Sequence, residues 1–177
     1  MKILIMLKKI FLLVFLMGFF SRSNAQNSSC NDPKFREFDF WIGNWDVYDK
    51  SGKPAGTSKI SLILDSCVIL EEWTSVSNKN TSTYTGKSFN TYNIATKQWQ
   101  QTWVDNTGNT TEFLSSETNT GQIIFHADKV ISPDGKTFIR RLTFTKLNDT
   151  KVRQFGERSD DGGKTWAAEY DLEYRRK

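Results

Sequence analysis

Apolar residues in this chain recur at every second position, in short runs cut apart by turn residues, and almost nowhere at the 3.6-residue spacing of a helix. Alternation of this kind puts successive side chains on opposite faces and marks a half-buried strand. Ten runs carry it: Asn44–Tyr48, Ser58–Leu64, Val68–Val76, Thr83–Tyr92, Gln98–Asp105, Glu112–Ser116, Gly121–Ile131, Phe138–Leu147, Val152–Arg158 and Trp166–Tyr174. Turn signals such as Ser51-Gly52-Lys53-Pro54, Asp65-Ser66, Asn106-Thr107-Gly108-Asn109 and Pro133-Asp134-Gly135 stand between them. Only Pro33–Phe38 has room for a short helix. Regular short strands without helical interruption predict an all-β domain, either a sandwich or a single antiparallel up-and-down barrel. The barrel is preferred, because every connection is short enough for neighbouring hairpins and closure removes the exposed edges.

The first 25 residues stand apart from this pattern. Lys2, Lys8 and Lys9 form a basic start, Ile10 to Phe20 is an apolar run, and Ser23-Asn24-Ala25 ends it with small residues. The run is too short for a membrane span, which needs about 20 residues. The sequence predicts a signal peptide over residues 1–25, cut after Ala25, and export to the periplasm or the medium. A lipidated Cys30 is the competing reading; Asn27-Ser28-Ser29 before it lacks the expected Leu. Residues 26–37 form an N-terminal arm and residues 38–177 the barrel domain.

The signal holds Lys2, Lys8, Lys9 and Arg22 and no acid, so the chain beyond it carries 20 basic and 20 acidic residues. A chain without basic excess lacks the electrostatic footprint of a nucleic-acid binder. Its two cysteines, Cys30 and Cys67, suggest a disulfide in an exported protein, the alternative being two independent thiols with Cys67 buried. Two cysteines and one histidine do not make a zinc site of ordinary composition, so no metal and no cofactor is expected.

Gly43-Asn44-Trp45 opens the first strand, preceded by Phe38-Asp39-Phe40-Trp41. A Gly-x-Trp at this place is how lipocalin-like (calycin) barrels begin: the Gly lets the strand bend, the Trp plugs the barrel floor, and an Arg of the last strand lies over the Trp. Arg175 or Arg176 is the expected partner. The segments Phe38–Val47, Cys67–Trp73, Gly86–Tyr92, Trp99–Gly108, Ser159–Trp166 and Tyr174–Arg176 together resemble the DUF1579 family, a set of secreted bacterial proteins of unknown function. The likeness runs in order along almost the whole chain after the signal. It implies a lipocalin-like barrel outside the cytoplasm and brings no agreed catalytic residues. One departure is the turn Asn119-Thr120-Gly121-Gln122, where the family has an Asp-Gly type.

Ser159-Asp160-Asp161-Gly162-Gly163-Lys164-Thr165-Trp166 has the form of an Asp-box. Read physically it is a hairpin staple: Asp161 accepts from turn amides, Gly163 supplies positive φ, and Trp166 packs beneath. A sialidase would need a propeller that this length does not build.

Strand Gln98–Asp105 is the candidate ligand face. Trp99, Gln101, Trp103 and Asp105 share one side, and Gln98, Gln100, Thr102 and Val104 the other; parity leaves open which side is the lumen. With Tyr84, Asn90 and Trp73, the residues Trp99, Gln101 and Trp103 are the expected binding set for a small hydrophobic or amphipathic molecule, the one partner predicted. Glu71 and Glu72 adjoin, as do Arg140 and Arg141, so one of each faces inward; an inward acid–Arg pair would serve as a structural pair or as acid and base. Glu72 and Arg141 are the catalytic candidates of this second reading, an enzyme of unknown reaction. A third is haem binding through His126, the sole histidine.

Overall fold

The computed structural model describes residues 29–77, 82–132 and 134–177; the predicted signal peptide lies outside them. Ten strands form one closed antiparallel barrel: β1 (Gly43–Asp49), β2 (Pro54–Ile63), β3 (Val68–Ser75), β4 (Thr85–Asn93), β5 (Gln98–Asp105), β6 (Thr110–Asn119), β7 (Gln122–Ile131), β8 (Thr137–Asn148), β9 (Lys151–Ser159) and β10 (Ala167–Arg176). Each strand pairs with its neighbours in sequence, and β1 pairs with β10 to close the ring. The barrel and all ten strands are therefore as the alternation predicts. The main difference is in β2, which starts at Pro54 rather than Ser58. Its first residues, Pro54-Ala55-Gly56, have poor strand propensity, and the ladder to β3 imposes the extended form on them.

One end of the barrel is plugged. Three short 3-10 turns, Ser29–Asn31, Pro33–Arg36 and Asp39–Trp41, run beneath it where a single short helix is predicted. Asp32 caps the second, its carboxylate accepting from the Lys34 amide at 2.8 Å. Phe38 and Trp41 are fully buried and stack with ring centroids 5.0 Å apart. Phe144 meets both, at 4.9 and 4.5 Å. Trp45, Ile69, Ile123 and Phe125 belong to the same core. Truncating one of its large aromatics to Ala costs about 3–5 kcal/mol by the usual behaviour of buried rings. Trp45 is fixed in turn by its indole N–H, which donates to the Trp41 carbonyl at 2.8 Å.

Cys30 and Cys67 form a disulfide, with Cα atoms 5.0 Å apart and a sequence separation of 37. It ties the arm to the turn between β2 and β3. That turn puts Leu64, Asp65 and Ser66 all at positive φ (51°, 52° and 69°), an unfavourable backbone for such residues. The disulfide and a hydrogen bond from the Arg36 guanidinium to the Ser66 carbonyl hold it there.

The arginine over Trp45 is Arg176, not Arg175. Its guanidinium carbon stands 4.5 Å from the ring centre, whereas Arg175 covers Tyr48 on the outer face. Parity decides between the two: Arg176 pairs directly with Trp45 across β1 and β10, two residues beyond the inward Tyr174. Gly43 leaves the space this guanidinium fills, since a Cβ there would lie 2.3 Å from an Arg176 nitrogen.

Candidate functional site

Above the plug the barrel is hollow. A cavity of about 350 Å³ opens at the end away from Trp41, walled mainly by aromatic rings: Trp73, Tyr84, Trp103, Phe113, Tyr170 and Tyr174. The room exists because inward positions of three strands are glycine. Trp73 lies across Gly56, Trp103 across Gly86 and Tyr170 across Gly156, each ring so close that a Cβ would come within 2.8, 2.2 and 2.3 Å of it. Rings laid along the wall shield the bare backbone and leave the centre empty. A bulge between Ala168 and Tyr170 brings Tyr170 opposite Gly156.

One carboxylate stands at the floor of this cavity, Glu71, 2% exposed. Three hydroxyls reach it: Ser58 at 3.0 Å and Tyr174 at 3.2 Å on Oε1, and Ser88 at 3.0 Å on Oε2. Behind Ser88, the Asn90 amide donates to the Ser88 hydroxyl at 2.9 Å and to the Ile69 carbonyl at 3.0 Å, and Gln101 donates to Asn90 at 2.7 Å. The rows of the sheet set this up: Glu71 pairs with Ser88 and Ser88 with Trp103, while Asn90 pairs with Gln101 one row deeper. Burial pushes the Glu71 carboxyl up to about 7, against the hydroxyl donors that favour its anion. Tyr174 has a single proton for two acceptors, Gln154 Oε1 at 2.6 Å and Glu71 Oε1 at 3.2 Å. The shorter contact takes that proton, and the acid form of Glu71 can donate to the phenol oxygen in return.

The rim is also polar. Tyr84 donates to Asp105 at 3.0 Å and the Trp103 indole N–H points at the same oxygen at 3.4 Å. Burial, then the hydrogen bond to Asp105, pushes the Tyr84 phenol up to about 12. Asp105 itself titrates at about 2: burial opposes this, and donors from Thr107, Tyr84 and Asn109 outweigh it. Arg140 lines the mouth, with Nε and an Nη donating to Glu169 at 2.7 and 3.0 Å.

Of the predicted binding residues, Trp73, Tyr84, Gln101 and Trp103 border the cavity. Trp99 and Asn90 do not. Trp99 is packed in the closed end, edge-on to Phe38 at 5.7 Å, and Asn90 is buried behind the floor as the link between Gln101 and Ser88. The face of β5 that holds Trp99, Gln101 and Trp103 is thus the lumenal one.

The two catalytic candidates lie on the wrong side of the wall. Glu72 points outward to Lys87 at 2.9 Å and Lys59 at 3.9 Å, and Arg141 pairs outside with Glu157 at 2.8 Å. Their neighbours Glu71 and Arg140 face in, and they make no pair with each other, since Arg140 is held by Glu169. Ile69 and Trp73, at the same parity as Glu71, are the signal that could have chosen between the two acids; Leu70, at the parity of Glu72, hid it. Tyr170, Tyr174, Ser58, Ser88 and Gln154 had no such signal, because their part depends on which strands meet across the lumen.

The Asp-box forms the predicted staple. Asp161 accepts from the Lys164 and Thr165 amides at 3.0 and 2.9 Å and from the hydroxyls of Ser159 and Thr165 at 2.8 and 2.7 Å. Those bonds, led by the Thr165 hydroxyl, hold its carboxyl at about 2. Gly163 has φ 89°, and Trp166 returns its indole N–H to the Gly163 carbonyl at 3.1 Å.

His126 faces outward on β7, its ring 6.3 Å from that of Trp166. It borders a hollow of about 790 Å³ on the outer wall, with Phe89, Thr102, Leu114 and Ile131. The hollow is larger than the cavity but has no buried side-chain carboxylate, so it offers no comparable site. A haem ligand inside the barrel through His126 is excluded by this orientation.

The chain matches no family model and no curated protein. Function therefore has to be read from the cavity.

Proposed function

We propose that the barrel is a binding module for one small amphipathic molecule, held in the cavity above Glu71. The observation that carries this is the pairing of three wall-lying rings, each over a strand glycine, with a single polar cluster at the floor. Ligand sites have this makeup, an apolar wall with few fixed polar groups. A cavity of about 350 Å³ suits a molecule the size of a substituted aromatic ring or a short chain. Export and membership of the DUF1579 family belong to the same proposal. The disulfide supports export, since such bonds persist in oxidising compartments, and the ordered motifs support the family.

The test is saturable one-to-one binding of a small aromatic fluorophore such as 1-aminoanthracene, compared in the natural protein and in Thr111→Phe, which fills the cavity from β6. Binding that is lost in Thr111→Phe supports the reading. Equal binding in both, or none in either, contradicts it.

A second reading rests on Glu71 alone. A buried carboxyl that titrates near neutrality beside a tyrosine is equipped for proton transfer. It replaces the acid–base pair of Glu72 and Arg141, and Glu71→Gln would abolish turnover while sparing ligand binding.

A further inference from the structure

Among the described residues, Glu71 is a buried carboxylate without a counter-charge. None of the groups that shift its titration is a cation, and its hydrogen-bond partners are all hydroxyls. Among the described residues, the one basic side chain of the cavity, Arg140, is held in a two-pronged bond by Glu169 at the mouth. A carboxylate offers about four acceptor positions; Ser58 fills one on Oε1 and Ser88 one on Oε2, the Tyr174 proton going to Gln154, so each oxygen keeps a free position, and that on Oε2 meets no other group. Burying such a group is costly unless an opposite charge joins it. The walls around it are electron-rich ring faces, Trp73, Trp103, Tyr84 and Tyr170, the surface that cations favour over neutral groups of the same shape.

We infer that the ligand of this cavity is an organic cation, an amine on a compact apolar or aromatic body, whose N–H is accepted by Glu71 while its carbon skeleton lies among the rings. This rests on the cavity being the binding site and adds the ligand's charge. On binding, the ammonium group fills the free position on Oε2, and Ser58 and Ser88 hold the carboxylate in its ionised form. Among the described residues, the other titratable groups facing the site are Tyr84, Tyr170 and Tyr174, all raised by burial and neutral at ordinary pH, Arg140, which Glu169 neutralises, and at the rim Asp105, an anion at both test pH values. Where Glu71 enters the complex protonated, an incoming ammonium displaces that proton to solvent, so affinity for the cation grows as the pH rises.

Three probes of one shape separate the possibilities: phenethylammonium, 2-phenylethanol and 3-phenylpropionate, titrated calorimetrically against the natural protein at pH 8.5 and pH 5.5. The inference predicts that phenethylammonium binds at least tenfold tighter than the alcohol at pH 8.5, that the ratio falls severalfold at pH 5.5, and that the anion binds weakest. Glu71→Gln should erase the preference for the cation over 2-phenylethanol and, with it, the pH dependence of that preference. Should that variant not fold, the pH dependence of the natural protein still decides. Equal binding of cation and alcohol, or tighter binding of the anion, overturns the cation inference while leaving the cavity as a binding site. No binding of any of the three overturns both.

Discussion

The Tyr174 hydroxyl on β10 reaches Oε1 of Glu71 on β3 at 3.2 Å, joining two strands that are not neighbours in the barrel. The contact joins the aromatic plug to the cavity, because the Tyr174 ring also lies edge-on to Trp41 at 5.9 Å and to Trp45 at 6.3 Å. Protonation of Glu71 is thereby linked to the stability of the closed end.

Glu71 gives the barrel a stability that depends on pH. Its folded-state value, about 7, lies above its ordinary 4.5, so the folded form binds the proton more tightly. That contribution is present in full below pH 4.5 and is lost as the pH rises through 7; a shift of this size is worth roughly 3 kcal/mol. Urea midpoints should therefore fall between pH 5 and pH 8 in the natural protein and fall much less in Glu71→Gln. Parallel profiles would show that Glu71 is ionised and solvated.

The ring-on-glycine contacts are tight enough to test singly. Gly86→Ala puts a methyl 2.2 Å from Trp103 and Gly156→Ala puts one 2.3 Å from Tyr170. Each ring must swing into the cavity, at a cost of about 1–3 kcal/mol for overpacking. Chemical denaturation should show that loss, and affinity for the aromatic fluorophore should drop with it.

Arg176 and Arg175 should differ. Arg176→Ala removes the cation over Trp45 and opens the space above Gly43, for a loss of about 1–2 kcal/mol. Arg175→Ala removes an outer contact with Tyr48 and Glu173 and should cost under about 0.5–1 kcal/mol. Urea denaturation of the two variants side by side checks the order.

Removing the disulfide by Cys30→Ser with Cys67→Ser should lower stability by about 2–4 kcal/mol, the usual worth of closing such a loop. The barrel ladder does not include the arm, so far-UV circular dichroism should stay that of an all-β protein, with the loss seen in the thermal midpoint.

Much of this was legible from periodicity. Each of the ten strands carries its own two-residue alternation, and hairpin connections leave little choice of order, so the barrel follows from local signals. The choice of lumenal face was harder, because β3 and β8 each present two adjacent like charges, Glu71-Glu72 and Arg140-Arg141, and alternation says only that one of each turns in. The flanking residues resolve it: Ile69 and Trp73 share the parity of Glu71, and Phe138, Leu142 and Phe144 that of Arg140. Trp99 illustrates the remaining gap. It shares a face with Trp103 but lies four residues nearer the closed end, and depth along a strand is set by the plug of Phe38 and Trp41, which no spacing reveals.

The central claim is that the cavity over Glu71 is where this protein meets its ligand. Native mass spectrometry of the protein recovered from its own host, alongside Thr111→Phe prepared identically, tests it most directly. The account predicts a copurified small molecule of basic character, at one per chain, in the natural protein and none in Thr111→Phe. The same molecule retained equally by both, or an empty protein that also fails to take up the aromatic fluorophore, would contradict it.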